Sequence, residues 1–271
     1  MGCAWFGPKV LAEERRKQTH ERRALTWRAT GVVSLREENL TALPRLAYEQ
    51  GPLIKALDAS HNKLEVLDEQ LSFLSKLQRL TLSHNRLSLL NDRVVQLSKL
   101  RVLILNDNNL FEIPSTIGRL TNLEHLNLEN NKIRVVPESI GYMTRLRTLQ
   151  LANNNLQNLP ETIGGCHSLE ELDAKQNKLT KLPEYICKLE NLFILLVDNN
   201  MIEELPKNIF EKCKQLHTFS VHQNPIRSSE IQSLKSFKDY NERRVKKYDK
   251  QIYGGVMKDT LDFDEGFDKD T

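Results

Sequence analysis

The stretch Leu123–Pro137, LEHLNLENNKIRVVP, spaces Leu123, Leu126 and Leu128 like the buried face of a strand, then carries Asn131 into the same apolar run. Apolar residues at a period of two mark a strand with one face in a core. Asparagine is depleted in strands and favoured in turns. Asn131 therefore marks where the strand bends, and Ile133 returns the chain to the apolar side. The unit reads L-x-x-L-x-L-x-x-N-x-I, with Asn131 at position nine.

The unit recurs. Steps of 23 residues lead back from Asn131 to Asn108, Asn85 and Asn62 and forward to Asn154, Asn177 and Asn200, each with its own apolar set. A step of 24 reaches Asn224 at one end and Glu38, in the place of an asparagine, at the other. Nine coils follow, the first without the amide.

A unit this short cannot bury its own apolar side, so neighbouring coils must stack and share one core. Positions one, four, six and eleven are predicted to face inward. A strand that bends inside such a stack leaves backbone groups that need partners. An asparagine offers one acceptor and two donors, and the column is expected to tie each turn to the next coil. After position eleven most coils place Leu, Ile or Val before proline, as at Ile113-Pro114, Val136-Pro137 and Leu159-Pro160. Proline fixes φ and lacks an N–H, which turns the chain onto an outer, helix-like or irregular path. Asp68 and Asn91 replace it in two coils, where the outer path is less predictable.

On these residues the chain resembles the leucine-rich repeat family, whose consensus and period it matches. The flanks WRATGVVSLR (27–36), HQNPI (222–226) and FKDYNERRVKKYDKQI (237–252) make it similar to small intracellular, plant-type members that open with MGC, and more loosely to Ras-group repeat scaffolds. The resemblance implies an α/β solenoid, or horseshoe, of about nine coils, with a parallel β-sheet on the concave face and short helical or irregular segments on the convex face. It also implies a non-enzymatic protein that binds another protein on the concave side, with a role in intracellular signalling.

The composition fits that expectation. Charged residues make up 28% of the 271 and the net charge is +3. Residues 1–29 carry +4, residues 230–252 carry +3 and residues 253–271 carry −4, which leaves the repeat body neutral and unsuited to nucleic acid. Four domains of organisation follow: a basic, partly disordered N-terminal extension and cap (1–29), the solenoid (30–229), a C-terminal capping helix (230–252) and an acidic disordered tail (253–271). Ser229 and Gln232 have capping-box spacing ahead of Ile231, Leu234, Phe237 and Tyr240, which recur every three residues along one predicted helix.

Cys166 and Cys213 take slots that are apolar in other coils, and no C-x-x-C appears among the four cysteines, which argues against disulfides and zinc. With no long apolar segment near the start, the chain is expected in the cytoplasm. Gly2 and Cys3 are candidates for myristate and palmitate, and hence for peripheral attachment to a membrane through the N-terminus.

Side chains at strand positions three and five line the concave face. Val102 with Ile104 and Ile194 with Leu196 form two apolar spots in a polar sheet, and Arg79, His125, Asn127, Gln150 and Glu171 surround them, with Glu129, Asp173 and Lys175 as rim charges. An apolar centre ringed by polar groups suits a protein interface. His61 and His84 share a column but lack a third ligand. With no phosphate loop and no nucleophile elbow, neither a cofactor nor catalysis is expected. A monomeric scaffold binding a protein partner is the reading. The alternative is a regulatory subunit of a phosphatase or small GTPase, although Arg244-Val245 runs into Lys246-Lys247 and makes no R/K-V-x-F docking motif.

Overall fold

The computed structural model describes residues 21–253 and 266–268. Nine three-residue strands form one parallel sheet in chain order: β1 Val32–Ser34, β2 Ala56–Asp58, β3 Arg79–Thr81, β4 Val102–Ile104, β5 His125–Asn127, β6 Thr148–Gln150, β7 Glu171–Asp173, β8 Ile194–Leu196 and β9 Thr218–Ser220. Pairing is strict in register, Leu103 beside Leu126 beside Leu149, so equivalent positions form straight columns. The nine-coil solenoid expected from the repeat is the fold observed.

Positions four and six of every coil are buried, as are positions one and eleven from the second coil to the eighth, and they build one continuous core from Val33 to Val221. Each coil thus borrows its interior from its neighbours. The outer path resolves by coil length. Coils with a 23-residue step cross on a short 3₁₀ turn such as Glu138–Tyr142 or Glu161–Gly165. The two 24-residue steps, Val32 to Ala56 and Ile194 to Thr218, contain α-helix instead, at α2 (Arg45–Glu49) and α3 (Ile209–Lys212). A 3₁₀ turn rises about 2.0 Å per residue against about 1.5 Å for an α-helix, so the α path needs the additional residue.

Asp68 and Asn91 do not disturb the outer path. Each adopts the extended conformation of the prolines it replaces, φ −68° and −65° beside −70° at Pro137. Each side chain accepts the N–H two residues on, from Gln70 and Arg93. Two devices, a fixed φ and an N-cap, reach one geometry.

The asparagine column is buried from Asn62 to Asn200, half-buried at Asn224 and fully used, but it ties backward. Asn131 Nδ2 donates to Leu128 O and Glu129 O in its own coil and to Leu105 O in the preceding one, at 3.0, 3.1 and 3.0 Å. Its Oδ1 accepts Leu110 N–H, also of the preceding coil, at 2.9 Å. The pattern repeats from Asn62 to Asn224, and at the first turn Glu38 N–H donates to Asn62 Oδ1. One position earlier runs a second column, too varied in residue type to stand out as a repeat. Glu37, His61, His84, Asp107, Asn130, Asn153, Gln176, Asn199 and Gln223 all have φ between +52° and +59°. That left-handed step reverses the chain and aims the following amide inward.

The ends are closed. Residues 21–30 form helix α1, which buries Trp27 against the first coil. Arg23 lies over the Trp27 ring and pairs with Glu38. The single capping helix predicted over 230–252 is two helices, α4 (Ser228–Ser233) and α5 (Phe237–Tyr253), broken where Leu234 turns extended and Ser236 takes φ +61°. The capping box does not form: Arg227 holds the N-cap position and Ser229 lies inside α4. Ile231 and Tyr240 are still buried, and Leu234 and Phe237 pack against the core. The acidic tail expected to be disordered is seated at residues 266–268, with Phe267 buried. The remaining residues of the N-terminal extension and of the tail lie outside the described residues.

Asn131→Ala removes four buried hydrogen bonds and leaves carbonyls and an N–H without partners, which should cost roughly 3 kcal/mol in urea denaturation. Asn91→Ala should cost about 1 kcal/mol through loss of the cap, whereas Asn91→Pro should fall within about 0.5 kcal/mol of the wild type because φ already suits proline.

Candidate protein-binding surface

Strands alternate their side chains, so the residues flanking each buried position four face outward together. Position three gives the column Arg79, Val102, His125, Thr148, Glu171, Ile194, and position five gives Thr81, Ile104, Asn127, Gln150, Asp173, Leu196. All lie on one sheet face, half-buried or exposed.

The structure gathers them into two hollows rather than one site. Arg79, Val102, Ile104, His125, Asn127, Thr148 and Gln150 line a shallow depression of about 290 Å³. Thr148, Glu171 and Ile194 line another of about 320 Å³, together with Glu170, Asn191, Phe193 and Gln215. Leu196, Asp173, Lys175 and Glu129 line neither. The two apolar spots are therefore separate footholds along one sheet.

Several of these polar side chains have structural partners. Asn127 Oδ1 accepts Glu129 N–H and Asp173 Oδ1 accepts Lys175 N–H, the same turn that Asp58 makes to Ser60. Lys175 also pairs with Asp173 at 3.3 Å. This pair is folded onto itself and offers a partner less charge than the sequence suggests. His125 Nδ1 lies 3.1 Å from Thr148 Oγ1, which fixes its ring over the first hollow.

Position two adds residues that the column search omitted. Arg101 faces Glu124 and Arg147 faces Glu170 in ion pairs along the sheet's flank, and Phe193 stacks on His217 with centroids 4.5 Å apart. Phe193 widens the apolar surface of Ile194. The signal was an aromatic in a column otherwise charged or polar. On the turn side, His61 stacks on His84, whose Nε2 lies 3.5 Å from Asp107 Oδ2, and Asp107 accepts from Asn130, which accepts from Asn153. A hydrogen-bonded rail thus runs along the left-handed column over three coils, from Asp107 to Asn153.

Among the described residues no group of three or more His, Cys, Asp or Glu is placed to hold a metal ion, and no helix is long and apolar enough to cross a membrane. Burial pushes the Cys166 and Cys213 thiols up to about 12 and Cys187 to about 11. Thiols held protonated near neutrality are poor nucleophiles. Gly2 and Cys3 lie outside the described residues.

Two family models match the chain, a leucine-rich repeat region over residues 135–251 and a leucine rich repeat over 31–87 and 98–156. Among curated proteins, the plant intracellular Ras-group-related LRR protein 7 of Oryza sativa subsp. japonica is 40% identical over 62 residues, 23% of this chain and 24% of that protein. The chain thus aligns with about a quarter of that relative's length. Among solved structures, a leucine-rich repeat protein of Leptospira interrogans superposes with a TM-score of 0.63 at 29% identity, covering 78% of this chain and 61% of its own. The leucine-rich repeat ectodomain of the Arabidopsis thaliana receptor kinase GASSHO1/SCHENGEN3, in complex with CASPARIAN STRIP INTEGRITY FACTOR 2, gives 0.61 at 25% identity, covering 72% and 23%.

Proposed function

From the premise that this chain belongs to the leucine-rich repeat proteins, whose fold is a protein-interaction module, we propose that it is a non-enzymatic scaffold holding a protein partner on its concave sheet. The observation that carries this reading is the in-register sheet face itself. It presents two apolar footholds, Val102 with Ile104 and Ile194 with Leu196 and Phe193, on a backbone that a continuous core keeps rigid. Preorganised apolar centres with polar surroundings are where interface energy concentrates. Arg79, His125, Gln150 and Glu171 stand around them as polar contacts that choose the partner. The column asparagines and the buried thiols Cys166 and Cys213 have structural roles.

The partner is a cytoplasmic protein of a signalling assembly, and the protein acts as a monomer. Gly2 and Cys3, if acylated, add attachment to the cytoplasmic face of a membrane, because two acyl chains hold where one does not.

Ile104→Asp combined with Leu196→Asp should abolish co-purification of the main partner while circular dichroism and the melting temperature stay near wild type; unchanged capture would refute the concave-face reading. Gly2→Ala should move the full-length protein from the membrane pellet to the supernatant in cell fractionation, and an unchanged distribution would show that no acyl chain holds it.

A further inference from the structure

Beyond its strand, each coil hands at least two N–H groups to the coil after it. The N–H of position six donates to the carbonyl of position five, as Leu128 to Gln150 O and Val197 to Ser220 O, and the N–H of position eight to the carbonyl of position seven, as Asn130 to Ala152 O and Asn199 to His222 O. In the ninth coil these donors are Val221 and Gln223, and no tenth strand follows among the described residues. They are nevertheless taken, from far along the sequence. Val221 N–H donates to Gly266 O at 2.8 Å and Gln223 N–H to Asp268 Oδ2 at 2.6 Å.

Gly266, Phe267 and Asp268 thus stand at positions five, six and seven of a coil the chain does not have. Phe267 fills the core column of Leu128, Leu151, Val197 and Val221, buried with its ring edge-on to Phe237 at 6.0 Å. Gly266 has φ +84°, and a Cβ there would lie 2.2 Å from Phe219 O, so the place admits glycine alone. The Asp268 carboxylate supplies the acceptor that a carbonyl supplies in true coils and also holds His222 Nδ1 at 3.0 Å. Those bonds, the one from Gln223 first, keep its carboxyl below the usual range.

We propose that the edge of the last coil is a docking site for an extended Gly-Phe-Asp segment of another protein, which this chain's residues 266–268 occupy as a displaceable stand-in. Recognition requires a glycine, an aromatic and a carboxylate in that order, and any extended chain carrying them meets the same donors and the same aromatic slot. Twelve residues separate Tyr253, the last of α5, from Gly266, and the bonds from Val221 and Gln223 hold the segment at the seat. Residues 230–246 beside it carry five Lys or Arg and three Asp or Glu, a net +2, which favours an acidic ligand like the tail, whose net charge is −4. Residues 266–268 line neither hollow of the concave face.

The test uses the full-length protein and a fluorescent peptide of residues 264–271, DEGFDKDT, followed by anisotropy. A tethered competitor acts at an effective concentration on the order of a millimolar. Emptying the seat with Phe267→Ala should therefore tighten peptide binding by about tenfold over wild type, and Asp268→Ala, which leaves the aromatic slot unaltered, should shift it in the same direction. Peptides with alanine in place of the phenylalanine or of the glycine should not bind, and bound peptide should slow hydrogen exchange at the Val221 and Gln223 amides. No binding to either variant, with circular dichroism unchanged, would overturn the proposal, as would equal affinity for wild type and variants. Concentration-dependent dimers of wild type in sedimentation would also overturn it, since the tail would then serve a second copy.

Discussion

The structure depends on one constraint: a chain that reverses inside a stack must satisfy its backbone without water. The buried asparagine answers it once in each coil, binding two carbonyls of its own turn and one of the coil before, and accepting an N–H from that same coil. Because the contact always reaches back, every coil fixes the one before it, and cohesion is nearest-neighbour along the rod. The left-handed residue ahead of each asparagine is part of the same device. Asn, Asp, His, Gln and Glu fill that column, where short polar side chains tolerate positive φ best.

From this follows the character of the binding surface. Strands only three residues long offer little area singly, yet strict register aligns nine of them into columns whose chemistry changes one residue at a time. The scaffold residues and the face residues are interleaved, so the face can vary without touching the core. Some face residues nevertheless serve the scaffold: Asn127 and Asp173 tie the turn that follows their own strand. A polar residue at position five therefore has two possible employments, and only its geometry tells which it has.

The solenoid was legible because its determinants are local and repeated. The spacing of Leu123, Leu126, Leu128 and Asn131 encodes strand, bend and core in one coil, and eight further copies leave no other register. The step of 24 residues at either end also encoded something, an α-helix in place of a 3₁₀ turn, but it becomes readable only when the rise of each helix type is set against a fixed span. Asp68 and Asn91 looked like departures because a pattern compares residue types, whereas the backbone compares dihedrals, and an Asx cap and a proline share theirs. The candidate surface was legible as columns, but its division into two hollows and the place of Phe193 required the neighbouring coils to be set side by side.

The sequence by itself determined the repeat, its register, the inward positions and the buried amide column, since each follows from one eleven-residue pattern that returns every 23 or 24 residues. The tertiary structure alone decided how the rod ends. The break at Leu234 and Ser236 splits the predicted helix so that both parts fit the last coil, and Gly266-Phe267-Asp268 completes a coil more than forty residues away in sequence. Neither has a periodic signal, because an end cap is met once, and what shapes it is the set of donors and apolar surface that the final repeat leaves without a successor.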